Sequence, residues 1–129
     1  MTPELTVLAW SICLGIVYVL VAASLMTAQR GLDWNIGNRD GEAARLSGAA
    51  ARAQRASRNF LETFPFFAAA VLAVVLAQRN SAHTVLGAQI YFWGRVAYLP
   101  IYVIGIPYVR SLVWAISFWG LLMVLAALI

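Results

Sequence analysis

The chain has 129 residues, 63% of them hydrophobic and only 11% charged, with a formal net charge of +4. Soluble domains carry about 25% charged residues, so this balance excludes an ordinary water-soluble globule and marks an integral membrane protein. All nine basic residues are arginines; set this close to apolar runs, they orient a chain in the bilayer or hold anions, and no nucleic-acid partner is expected.

The first apolar run is uncharged from Thr6 to Thr27. As a helix it is about 33 Å long, enough to cross a hydrocarbon core of about 30 Å. It lacks a basic leader and a clear cleavage site, and so reads as a retained span over about 4–28 rather than a signal peptide. The single cysteine, Cys13, lies within it. A polar loop follows, "QRGLDWNIGNRDGEAA", and a second helix is expected over about 42–78. The short turn "QRNSAH" leads to a third helix near 82–104, and "GIPYVR" to a fourth near 108–128. His83, alone in the outer turn, reads as a solvated loop residue; with one Cys and one His far apart, no protein metal site is expected. These runs are too uniformly apolar for transmembrane strands, and backbone groups in lipid must be satisfied internally, which leaves helices. The expected architecture is a single all-α membrane domain of four transmembrane helices, spanning residues 1–129.

Six arginines fall between Arg30 and Arg58, and Arg95 and Arg110 flank the third loop; Arg79 alone belongs to the opposite end. The positive-inside rule therefore places the first and third loops in the cytoplasm and both termini on the other side.

The second helix carries the chemistry. At 100° per residue, Arg45, Arg52, Arg55, Asn59 and Glu62 share one arc of about 100°, spread along about 25 Å of helix. Gly48 lies in the same arc and leaves room there for a neighbour. Arg58 falls just beyond its edge, with Leu61 opposite. One reading has the arginines snorkel to lipid phosphates, with Glu62 paired to one of them. The other starts from Glu62, followed at once by "TFPFFAAAVLAVVLA". A carboxylate at that depth costs a few kcal/mol and is expected to face a bundle interior with a partner. A stripe of Arg, Asn and Glu suits a small zwitterionic ligand, its carboxylates on arginine and its ammonium on Glu62. Pro65 leaves the Leu61 carbonyl without its helical partner and is expected to kink the helix beside Glu62.

On the third helix Arg95, Tyr98 and Tyr102 are spaced i, i+3, i+7 and share a face. The tyrosines alone would suit an interfacial aromatic belt; Arg95 beside them calls for an anionic or acidic partner. Arg110 opens the fourth helix with Ser111 beside it, either as a topology signal or as a fixed guanidinium that stabilises an anion.

With these residues in place, the chain resembles the MAPEG family, the membrane-associated proteins of eicosanoid and glutathione metabolism. The resemblance rests on "RAQRASRNFLETFPFF", similar to the family's R-x-x-x-N-x-x-E signature through Arg55, Asn59 and Glu62. It also rests on "GRVAYLPIY" with Arg95, Tyr98 and Tyr102, on "RS" at Arg110 and Ser111, and on "TAQR" ending at Arg30. It covers essentially the whole chain. Thr63 departs from members that carry tyrosine after the glutamate, and "GLDWNIGNRDGE" has no assigned counterpart.

The resemblance implies a homotrimer with glutathione bound between subunits near the cytoplasmic face. It implies that Arg55, Asn59, Glu62, Arg95, Tyr98 and Tyr102 contact glutathione, with Arg52 in the same stripe and Arg30 reaching in from the adjoining subunit. Arg110, with Ser111 beside it, would stabilise the glutathione thiolate. Two functions follow: a glutathione transferase or peroxidase acting on lipophilic electrophiles dissolved in membrane lipids, or a non-catalytic lipid-binding scaffold trimer like the lipoxygenase-activating protein. A transporter reading has only Pro65 and Pro100 behind it, with no internal repeat.

Overall fold

A computed structural model covers residues 1–129 and contains five helices: α1 Pro3–Arg30, α2 Leu32–Ile36, α3 Gly48–Leu76, α4 Ala82–Ile104 and α5 Pro107–Ala126. The polar loop thus holds a short helix, α2, that sequence periodicity does not reveal. Asn35 ties α2 back to α1, its side-chain Nδ2 donating to Thr27 Oγ1 at 2.7 Å.

Three of the helices, α1, α3 and α5, are long and apolar enough to cross a membrane. The expectation of four such runs is met only in part. At 23 residues α4 is as long as a span, about 35 Å at 1.5 Å per residue. Its hydropathy is lowered by His83 and Gln89, which are not buried, and by polar residues that it turns inward, Thr84, Arg95, Tyr98 and Tyr102 among them. Only 28 of the 129 residues are buried, while Trp10, Phe66, Trp93 and Trp119 are each more than 60% exposed. A surface this apolar is the surface of a protein solvated by lipid.

The second predicted helix starts six residues late, at Gly48. Gln29, at the end of α1, claims the start: Ser47 N donates to Gln29 Oε1 at 2.8 Å, and Gln29 Nε2 donates to Ser47 O at 3.2 Å. Arg30 Nε takes Ala44 O at 2.7 Å. With those groups engaged and Gly41 at φ +83°, the backbone cannot wind a helical turn before Ser47. Arg45 is therefore not on the helical stripe. Gly48 itself sits at φ +58° with nothing near its Cα face, so it serves the turn into α3 rather than a close helix approach. The helix then continues unbroken through Pro65.

α4 begins with a capping box, in which Ser81 Oγ accepts from Thr84 N and Thr84 Oγ1 accepts from Ser81 N. His83 consequently lies in the first turn of α4, exposed, rather than in the loop. Gly105 ends α4 in the left-handed region at φ +95°, and Pro107 starts α5 at its first turn. The resulting α4–α5 pair packs through small residues. A Cβ on Gly120 would stand 2.5 Å from Gly87 O, and one on Gly94 would stand 2.7 Å from Ser117 Cβ. Gly120→Val should therefore force the two helices apart. Overpacking of this kind costs about 1–3 kcal/mol and more where backbone is the obstacle, so a clear fall in the detergent melting temperature is expected, while the exposed control Leu122→Val should melt as the parent.

Two apolar clusters hold the bundle. One joins Val7 and Leu8 of α1, Phe67, Val71 and Val74 of α3, Tyr91 of α4 and Val124 of α5. The other joins Tyr18, Phe60, Tyr98 and Tyr102, and it underlies the polar residues described next.

Candidate functional site

The cup begins with Tyr102, one turn from the end of α4. Arg55 Nε, from α3, donates to its hydroxyl at 3.0 Å. The Arg110 guanidinium carbon, from α5, stands 4.6 Å from its ring centroid, a cation–π contact. Arg52, one turn before Arg55, donates through Nε to Val103 O at 3.0 Å. Gly105 faces this side chain, and a Cβ there would lie 3.3 Å from Arg52 Nε; the glycine that caps α4 also makes room for the arginine.

Arg52, Arg55, Tyr102 and Arg110 line a cavity of about 240 Å³ at the α4–α5 turn. No carboxylate lines it, so three guanidiniums converge on one space without a counter-ion. Such a cup is built for an anion, and two carboxylates are well matched to guanidinium forks.

Arg110 also borders a second cavity of about 190 Å³, shared with Asn59, Tyr98, Ser111 and Trp114. The two hollows meet at Arg110. Trp114 was not singled out from the sequence, although it follows Arg110 by four residues and so shares its helix face. Its indole N–H is buried without a partner.

Arg95 departs from expectation. It is fully buried, with Nη1 donating to Asn59 Oδ1 at 2.7 Å and Nη2 to Thr63 Oγ1 at 2.8 Å. Phe60, Tyr91 and Tyr98 surround the guanidinium, their centroids 5.9, 5.7 and 5.0 Å away. It lies behind the cavity wall rather than in it, because the fork is already spent on α3. Thr63 and the aromatic cage were likewise missed. Thr63 was legible as the residue four after Asn59; Tyr18, whose hydroxyl donates to Arg95 O at 2.6 Å across 77 residues, was not.

Glu62 is exposed on α3 and has no side-chain partner in the chain. Arg30 is also apart from the cup, engaged with Ala44 O and, through Nη1, with Met26 Sδ at 3.4 Å. Met26 lines a groove on the other flank of α3, with Ala22, Ala23, Gln54, Ser57 and Arg58. One chain therefore presents two separate polar faces, the cup on one and Arg30 with the groove on another. Arg45 belongs to neither.

At the far end of the bundle, Glu4 is fully buried and accepts from Thr84 Oγ1 at 2.5 Å. This contact pins the start of α1 to the start of α4.

Helices long and apolar enough to cross a bilayer, carrying an acid-free arginine cup at one end, define a membrane protein. The sequence profile of the MAPEG family matches residues 7–129, nearly the whole chain, and the protein belongs to that family. No curated protein and no solved structure matches it.

Proposed function

We propose that the protein is a glutathione-dependent membrane enzyme, a transferase or peroxidase acting on lipophilic electrophiles. One observation carries the reading: Arg52, Arg55 and Arg110 gather around a cavity with no acid of their own. Glutathione offers two carboxylates for that cup and one ammonium for the exposed Glu62, two turns beyond Arg55 on α3. Its thiol then falls to the second hollow, where Arg110 and Ser111 offer donors beside the Trp114 ring.

A free thiol of pKa about 8.5 is mostly protonated at neutral pH, and an adjacent cation favours the thiolate. Arg110 is that cation, held in place by the Tyr102 ring. In conjugation the sulfur forms a bond to an electrophilic carbon as the leaving group departs with its electron pair, and the thiol proton passes to water. Holding the water-soluble thiol at the edge of the lipid phase supplies proximity to a substrate dissolved there.

The cup is open in a single chain, and Arg30 lies on another face. This supports a homotrimer in which each cup is closed by a neighbour's Arg30; the length of α4 supports it as the fourth span, and the arginine-rich first and third loops are assigned to the cytoplasm by the positive-inside rule. Gentle native mass spectrometry should find trimers; only monomers and dimers would count against this assembly.

A second reading, a non-catalytic lipid-binding trimer, draws on a cleft of about 480 Å³ between α3 and α5, lined by nine hydrophobic residues including Phe66, Phe118 and Leu121. Glutathione titrated into purified protein separates the two. The enzyme reading expects saturable binding with ultraviolet thiolate absorbance at neutral pH; the scaffold reading expects neither, with lipid retained through purification.

A further inference from the structure

We propose that Arg95 is a positioning residue that never touches the ligand but decides which edge of the Asn59 amide faces the second hollow, beside Arg110. The inference rests on the glutathione reading for its functional consequence, not for its geometry.

Arginine carries donors only. The Asn59 atom 2.7 Å from Arg95 Nη1 must therefore be the carbonyl oxygen, whichever way an isolated amide would turn. The amide N–H₂ is then forced to the other side, where Asn59 lines the hollow with Tyr98, Arg110, Ser111 and Trp114. The second arm of the fork fixes Thr63, one turn further along α3, at 2.8 Å. Both α3 residues are thus held by one rigid group, itself wedged among Phe60, Tyr91 and Tyr98 and anchored at its carbonyl by Tyr18. A lysine ammonium has no such fork.

The consequence is a hollow with donors from three helices: the Asn59 amide from α3, the Tyr98 hydroxyl from α4, and Arg110 and Ser111 from α5, with the Trp114 ring as its apolar wall. Such a lining favours an anionic sulfur over a neutral thiol. With the amide reversed, its oxygen would face the same space and oppose the charge.

The test uses full-length protein in detergent with glutathione as the probe. Asn59→Asp preserves an acceptor for Arg95 but places a charged oxygen where the N–H₂ was. It should keep the parent melting temperature and raise the pH of half-maximal thiolate absorbance by about one unit or more. Arg95→Met, which fills the space without charge, should also raise that pH, with Arg95→Lys between it and the parent. If all three keep the parent's thiolate midpoint while binding glutathione, Arg95 only packs the core and the proposal is wrong. Ligand-free protein gives an arm independent of glutathione. The Asn59 side-chain N–H₂ signals, identified by their loss in Asn59→Asp, should show exchange with water in nuclear magnetic resonance spectra. Protection of those protons would put them against Arg95 and overturn the placement, whereas absence of any thiolate in the parent would overturn the enzyme reading alone.

Discussion

Arg110→Ala is expected to lower turnover about twenty-five-fold while changing glutathione affinity by less than about threefold. Arg110 borders both hollows, and its guanidinium is fixed over Tyr102 rather than free in solvent. It also lies within the first turn of α5, where the unpaired backbone N–H groups add partial positive charge. A thiol shifted down by about two units moves from a few per cent thiolate to a majority at neutral pH, and each unit is worth about 1.4 kcal/mol. On the proposed reading affinity is set mainly by Arg52 and Arg55 at the carboxylates and Glu62 at the ammonium, so binding should survive when thiolate absorbance and turnover fall together. Ser111→Ala is the control, expected to be milder because a hydroxyl offers one neutral hydrogen bond. Full turnover in Arg110→Ala together with loss in Ser111→Ala would transfer the activating role to the serine.

The second large effect is expected at the other end of the ligand. Arg55→Ala and Glu62→Ala should each weaken glutathione binding by about 2 kcal/mol or more, roughly thirtyfold, once a neighbouring subunit shields the contacts. Arg55 is already oriented by Tyr102, so its fork is preorganised. Glu62 has no partner in the chain, so its contribution appears only when an ammonium arrives. Glutathione acetylated at its amino group separates the two. It should bind the parent and Glu62→Gln alike, while Arg55→Ala still loses affinity for it. Calorimetry giving parent-like affinity for both alanine variants would make the α3 stripe structural and favour the scaffold trimer.

The sequence by itself determined the membrane class, the family and the helical face shared by Arg52, Arg55, Asn59 and Glu62. These are matters of composition and of a 3.6-residue period, which a linear chain displays directly. The ends of α4 were equally local: Ser81 with Thr84 at its start and Gly105 with Pro107 beyond its end are short-range chemistry. Other features were decided only by tertiary structure. The start of α3 was set by Gln29 and Arg30, which take backbone groups of Ser47 and Ala44 from 14 to 18 residues away. Arg95 could be placed on a face but not at a depth, because burial depends on which helix covers that face. There it meets Asn59 and Thr63, more than 30 residues distant in sequence. Trp114 joined the second hollow for the same reason, and Glu4 found Thr84 across 80 residues. Periodicity tells which side chains travel together along a helix; only the packing of one helix on another decides which of them meet a ligand and which hold its neighbours in place.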